Sequence, residues 1–97
     1  MFVTILSGRV AEEDWSTLEE SYERTIRTGI HGILSSMLIQ CQTEPKLWQI
    51  ITTWESQKDY QNAFDQQFGK RYLNLFVEGG RSPRRNEFSV LGHYTRV

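Results

Sequence analysis

The sequence predicts a two-layer α+β domain, one antiparallel four-stranded sheet with both helices on the same face. Three observations predict it. Segments rich in β-branched and apolar residues alternate with segments whose apolar residues recur at three- and four-residue steps. Their order is strand, helix, strand, strand, helix, strand, the split β-α-β arrangement. The two middle strands are separated by a turn short enough for a hairpin, which makes them antiparallel.

Each element has its own signal. Phe2 to Arg9 is the first strand, FVTILSGR. AEED then opens a helix with acids in its first turn, where they favour the helix dipole. Trp15, Leu18, Tyr22 and Ile26 form its apolar stripe, with Glu19, Glu20, Glu23, Arg24 and Arg27 mostly off it. Gly29 ends that helix, and Gly32 follows in the turn. Ile33 to Gln42 is the second strand, with Ile33, Met37, Ile39 and Cys41 on one face and Leu34 and Leu38 on the other. TEPK, with Pro45, turns the chain into a third strand, Leu47 to Trp54. Ser56 caps the second helix, with Asp59 at capping-box spacing. That helix carries Tyr60, Ala63, Phe64 and Phe68, breaks or kinks at Gly69, and continues through Tyr72, Leu73, Leu75 and Phe76. GGRSPRRN reads as a loop and Phe88 to Val97 as the last strand.

Ninety-seven residues make one domain, residues 1–97. The 38 % apolar content is lean for a core, and 12 % of the chain is aromatic, so the core relies on large rings. Strands two and three nevertheless carry apolar groups on both faces, which a monomeric antiparallel sheet covered on one side avoids. A second surface must cover the helix-free face. The net charge of −1 argues against a dedicated nucleic-acid binder. No apolar run approaches the roughly 18 residues of a membrane span. The start, MFVTILSGRV, has no basic leader region and reads directly as a strand. Cys41 is the single cysteine, so no intrachain disulfide or cysteine metal site is expected. It reads as a small buried thiol suited to a reducing cytoplasm.

Residues 29–64, GIHGILSSMLIQCQTEPKLWQIITTWESQKDYQNAF, carry a family resemblance. A Gly-Ile turn into a strand, a hairpin, and Trp54-Glu55-Ser56 opening an aromatic helix resemble the antibiotic biosynthesis monooxygenases, dimeric α+β barrel proteins of ferredoxin-like fold. The resemblance implies a homodimer whose sheets pack face to face, with a pocket in each subunit between sheet and helices. It also implies a cofactor-independent monooxygenase acting on a small aromatic substrate, a quinol or a phenol. The rival reading is a non-catalytic dimeric module that binds a small hydrophobic ligand or a partner protein. Haem degraders of that family use an asparagine in the first strand and a histidine on the second helix. FVTILSG has no asparagine and residues 56–76 have no histidine, which disfavours haem oxidation. With Cys41 alone, the histidines isolated and no nucleotide-phosphate loop, no cofactor or metal is expected.

Several residues fit a pocket of that kind, each beside a plainer structural role. Trp54 is either a core ring locking the junction of strand three and helix two or a wall stacking on a planar substrate. Trp48 shares its strand parity and reads as structural. Tyr22, Tyr60 and Tyr72 lie on inward helix stripes, where a buried phenol needs a partner for its hydroxyl. Phe64 joins Tyr22, Trp54 and Tyr60 as substrate-binding candidates. Tyr72 and His93 are candidates for handling a proton, and Arg96 for steadying negative charge. His31 reads as a loop residue, Glu55 as solvated and Ser56 as a cap. Two histidines so far apart, with no carboxylate at ligand spacing, carry no metal signal.

Positive charge gathers late in the chain. Residues 1–65 hold five basic and ten acidic groups, against six and two in residues 66–97. Lys70, Arg71, Arg81, Arg84 and Arg85 are either a solvated loop or the rim of a mouth that attracts an anionic substrate. No phosphate loop, dinucleotide fingerprint or nucleophile elbow occurs, and LWQIITTW lacks the aromatic and basic signature of an RNA-binding strand.

Overall fold

The computed structural model describes residues 1–65, 74–76 and 83–96. Four strands form one antiparallel sheet in the order β2-β3-β1-β4: β1 Phe2–Arg9, β2 Ile33–Gln40, β3 Leu47–Trp54 and β4 Arg84–Ser89. Two helices, α1 Trp15–Arg27 and α2 Gln57–Asp65, follow β1 and β3. A 3-10 turn, Glu12–Asp14, leads into α1, and a second covers Asn74–Phe76. This is the ferredoxin-like α+β arrangement.

The buried residues alternate along the central strands, and the register shows why one face is covered. Phe2, Thr4 and Leu6 of β1 are buried, as are Trp48, Ile50, Thr52 and Trp54 of β3. Their neighbours Val3, Ile5, Ile51 and Thr53 point to the other face, as strand geometry requires. Two apolar clusters fill the covered side. One joins Leu6, Val10, Leu18, Trp48, Ile50 and Phe76, and the other joins Phe2, Trp54, Tyr60 and Ala63.

Local chemistry sets the helix ends. Thr28 closes α1, and Gly29 follows with φ +75°. The Ser56 hydroxyl accepts from the Asp59 N–H at 3.1 Å and donates to Asp59 Oδ2 at 3.0 Å, pinning the first turn of α2. Gly32, at φ +90°, lets the chain pass under that turn, for a Cβ there would sit 2.4 Å from Asp59 Cβ. Gly32→Ala therefore combines backbone strain with a clash and should cost about 2 kcal/mol or more. Gly29→Ala meets nothing within 4 Å and should cost only the left-handed backbone penalty, about 1 kcal/mol. Thermal melts of the two variants side by side check the ordering.

Two elements differ from the sequence expectation. The last strand is Arg84–Ser89, paired with β1 from Ser7↔Arg84 to Phe2↔Ser89, and not Phe88 to Val97. Residues 90–96 follow without regular structure, with Leu91 97 % and Tyr94 85 % exposed. The physical reason is that β4 is an edge strand, where charged side chains are tolerated and even protective. The run RRN, expected as loop, is strand, together with Glu87 after it. In β2 a register irregularity between Ile33 and Ser35 makes Leu34 the extra residue. Ile33 consequently packs with the core cluster around Trp54, and Ser36 and Leu38 share its face, while Met37 and Ile39 take the opposite one. The strand also ends at Gln40. Cys41, expected as a buried strand thiol, lies just past that end, half-buried, with Sγ 3.4 Å from Thr43 Oγ1.

Candidate functional site

On the covered face a row of polar side chains crosses the whole sheet between the two apolar clusters. Register aligns Ser36 with Thr52, Thr52 with Thr4, and Thr4 with Glu87. Buried hydroxyls need partners, and these have them. The Tyr22 hydroxyl of α1 donates to Ser36 Oγ at 2.7 Å, and Ser36 Oγ lies 3.1 Å from Thr52 Oγ1. The Trp54 indole N–H donates to Thr4 Oγ1 at 3.0 Å. Tyr22 and Trp54 are thereby locked by hydroxyls of the row.

At the β4 end of this row the aromatic cluster opens to solvent. Tyr60 packs edge-on against Trp54, with ring centroids 5.4 Å apart, and lies 5.6 Å from the Phe2 ring. One turn further along α2, Phe64 lies 6.1 Å from Tyr60 and is 44 % exposed. Helical spacing of four residues puts both rings on one face. Arg85, inward-facing on β4, lays its guanidinium 4.5 Å from the centre of the Phe64 ring, a cation–π contact. Tyr60, Gln61, Phe64, Arg85 and Glu87 together line a cleft of about 300 Å³ between α2 and β4.

The electrostatics of the cleft show in Tyr60. Burial pushes its hydroxyl above the ordinary tyrosine value of 10.0, the Arg85 charge pulls it back, and the Glu87 carboxylate adds to the rise. A raised folded-state value means that the folded protein holds this proton more tightly than the unfolded chain. The resulting stability is complete below the unfolded value and is lost as pH rises through the folded one. Tyr60→Phe has no such proton to lose. Its stability should fall less steeply than that of the parent protein under alkaline conditions, as followed by denaturant unfolding across pH.

Of the residues singled out from sequence, Trp54, Tyr60 and Phe64 meet at this cleft or directly behind it. Tyr22 belongs to the hydroxyl row on the α1 side. Tyr72 lies outside the described residues, as do Lys70, Arg71 and Arg81. His93 and Arg96 are exposed in the segment after β4, where His93 Nε2 is 3.2 Å from Thr95 Oγ1. They stand in no strand. His31 is exposed, 3.6 Å from Asp59. Trp48 is buried, with no hydrogen-bond partner for its indole N–H among the described residues. Arg85, expected as part of a solvated loop or as the rim of an anion-attracting mouth, stands on β4 at the cleft, and Glu87 beside it is a lining residue the sequence reading does not single out. The signal was present in R-N-E, whose alternation puts the two charges on one face. Thr4 and Thr52 were missed because isolated threonines in a strand carry no sequence signal.

A larger cleft, about 520 Å³, lies at the other end of the strands between Arg9, Glu12, Trp15, Glu44, Pro45 and Lys46. It mixes both charges around one indole whose N–H is already given to the Val10 carbonyl at 3.0 Å. It is remote from the ring cluster. No group of three histidine, cysteine or acidic side chains could hold a metal ion among the described residues. No helix among them is long and apolar enough to cross a membrane.

No protein-family model matches this chain, and no curated protein matches it in sequence. Solved structures do match. A protein of Deinococcus radiodurans assigned as an antibiotic biosynthesis monooxygenase superposes with a TM-score of 0.77 at 12 % identity, over 100 % of this chain and 98 % of its own. SnoaB, a cofactor-independent oxygenase from Streptomyces nogalater solved as a point mutant, gives a TM-score of 0.77 at 13 % identity, over 98 % and 97 %. A point mutant of MhuD with two manganese protoporphyrin IX bound per active site gives 0.75 at 16 % identity, over 99 % and 100 %. The chain has the fold of the antibiotic biosynthesis monooxygenase structures.

Proposed function

We propose that this protein is a cofactor-independent monooxygenase acting on a small aromatic substrate, a quinol or a phenol-like ring. The observation that carries the proposal is the α2–β4 cleft, where two aromatic rings and a guanidinium meet at the edge of a buried ring cluster. Fold alone does not imply function, but this cleft has what such chemistry asks of a protein. The exposed Phe64 ring, backed by the buried Tyr60 ring, offers apolar contact to a planar ligand, and Arg85 favours its ionised form. The ionised ring is itself the electron donor to dioxygen. A quinol plus dioxygen balances as a hydroxyquinone plus water, so no further reductant enters. The chain's donor set does not fit haem: its two histidines are His31 and His93, both exposed, and neither lies on α2.

The proposal includes a homodimer. The helix-free face of the sheet carries Val3, Ile5 and Ile51, with Met37 55 %, Ile39 37 % and Phe88 46 % exposed. So broad an apolar surface is the mark of an interface.

One observation favours the second reading, a non-catalytic dimeric module for a small hydrophobic ligand or partner protein. His93 and Arg96, the candidates for handling a proton and steadying charge, stand exposed after β4 and are not among the residues lining the cleft. Oxygen consumption with a panel of quinols and anthrone-like substrates decides between the two. Turnover unchanged by a chelator and rising with pH through the substrate's pKa is the expected result. No turnover across the panel, with aromatic ligands still bound, leaves the binding module.

A further inference from the structure

Arg85 and Glu87 stand two residues apart on the same face of β4, which places their Cα atoms about 6.7 Å from each other along the strand. Both line the α2–β4 cleft. Opposite charges so placed would ordinarily neutralise one another, yet no ion pair joins them among the described residues. Arg85 is turned instead onto the Phe64 ring, at 4.5 Å from its centre. One of its five guanidinium N–H donors serves the Tyr60 side chain, and the others remain for a further acceptor. Glu87 is exposed and can only accept. Along its β4 wall the cleft therefore presents a donor and, two residues on, an acceptor, with the Phe64 ring alongside.

From this arrangement we infer that the cleft is a two-point site for an aromatic anion. Arg85 holds an ionised oxygen on one side of the ligand ring, and Glu87 accepts a hydrogen bond from a hydroxyl on the opposite side. The inference rests on the aromatic-substrate reading above and narrows it to ligands that carry both groups, such as the monoanion of a para-quinol. Each half of the site excludes something. A neutral ring forgoes Arg85, and a second negative charge on the far side of the ring meets Glu87. Gln61, the remaining lining residue, is exposed and uncharged and does not disturb that polarity.

Stable probes separate the two halves: benzyl alcohol, benzoate and para-hydroxybenzoate, titrated by calorimetry into the full chain. The unaltered protein should bind benzoate about tenfold tighter than benzyl alcohol, and para-hydroxybenzoate about tenfold tighter again, as hydrogen bonds to charged groups give. Arg85→Gln should abolish the first ratio and Arg85→Lys should keep most of it. Glu87→Val should abolish the second ratio and leave the first. Ratios within one variant are insensitive to small losses of stability, and a thermal melt of each variant confirms that it is folded. Equal binding of benzoate and benzyl alcohol by the unaltered protein, or a second ratio unmoved by Glu87→Val, overturns the inference, as does failure of every probe to bind. Quinol turnover without any preference for the anion overturns the two-point site alone. The predicted ratios without turnover on any quinol uphold the site and overturn the catalytic reading.

Discussion

Trp54→Ala should remove about 3–5 kcal/mol of stability, the range for truncating a large buried ring. For a chain of 97 residues that is a large share of a typical total of roughly 5–15 kcal/mol. Trp54 is fully buried and its ring meets Tyr60 edge-on at 5.4 Å. It faces Phe2 and Ile33 across the sheet on the two flanking strands. No neighbour can collapse into the space without shifting β1, β2 or α2. Trp54→Phe separates packing from hydrogen bonding. It keeps most of the ring but takes from Thr4 the indole N–H it accepts at 3.0 Å, a loss of about 1 kcal/mol. Urea unfolding at one fixed protein concentration measures both. A loss below about 1 kcal/mol for Trp54→Ala would show that the ring is a pocket wall and not the lock of the β3–α2 junction.

Met37→Glu should convert a dimer into a folded monomer. Met37 lies opposite Ile51 on the helix-free face and is 55 % exposed in the protomer, so the glutamate is solvated when the chain stands alone. Seated against a second apolar sheet, the same carboxylate loses its water and gains no partner, at a cost of several kcal/mol. That penalty falls on each side of a symmetric interface, so association should weaken by orders of magnitude. Light scattering should report twice the chain mass for the parent protein at micromolar concentration and one chain mass for the variant, with matching circular dichroism. A monomeric parent protein, or a variant that stays dimeric, refutes the face-to-face dimer.

The core of this fold was legible wherever a periodicity was strong. FVTILSGR, rich in β-branched and apolar residues, and LWQIITTW, whose Trp48 and Trp54 share one parity, mark β1 and β3. Trp15, Leu18 and Tyr22 marked the inward face of α1, and Ser56 with Asp59 marked the start of α2. These are local properties: a pleat, a helical turn and a cap each act over a few residues. The Trp54, Tyr60 and Phe64 cluster was legible for the same reason, since one junction and one helical turn bring the rings together.

What the sequence did not determine by itself depends on neighbours distant along the chain. RRNEFS has the composition of a loop, and it is strand because β1 offers Phe2–Ser7 as a partner along an open edge. The extra residue at Leu34 inverts the parity of β2 relative to Ile33, which no alternation count could see, because register is a property of two strands together. The same dependence explains the cleft. Arg85 meets Phe64, and Thr4 lines up with Ser36, Thr52 and Glu87, only after four strands have taken their places. Local periodicity marked the inward faces of α1, α2 and β3. Pairing between remote strands decided which polar groups stand beside them, and so where a ligand could be held.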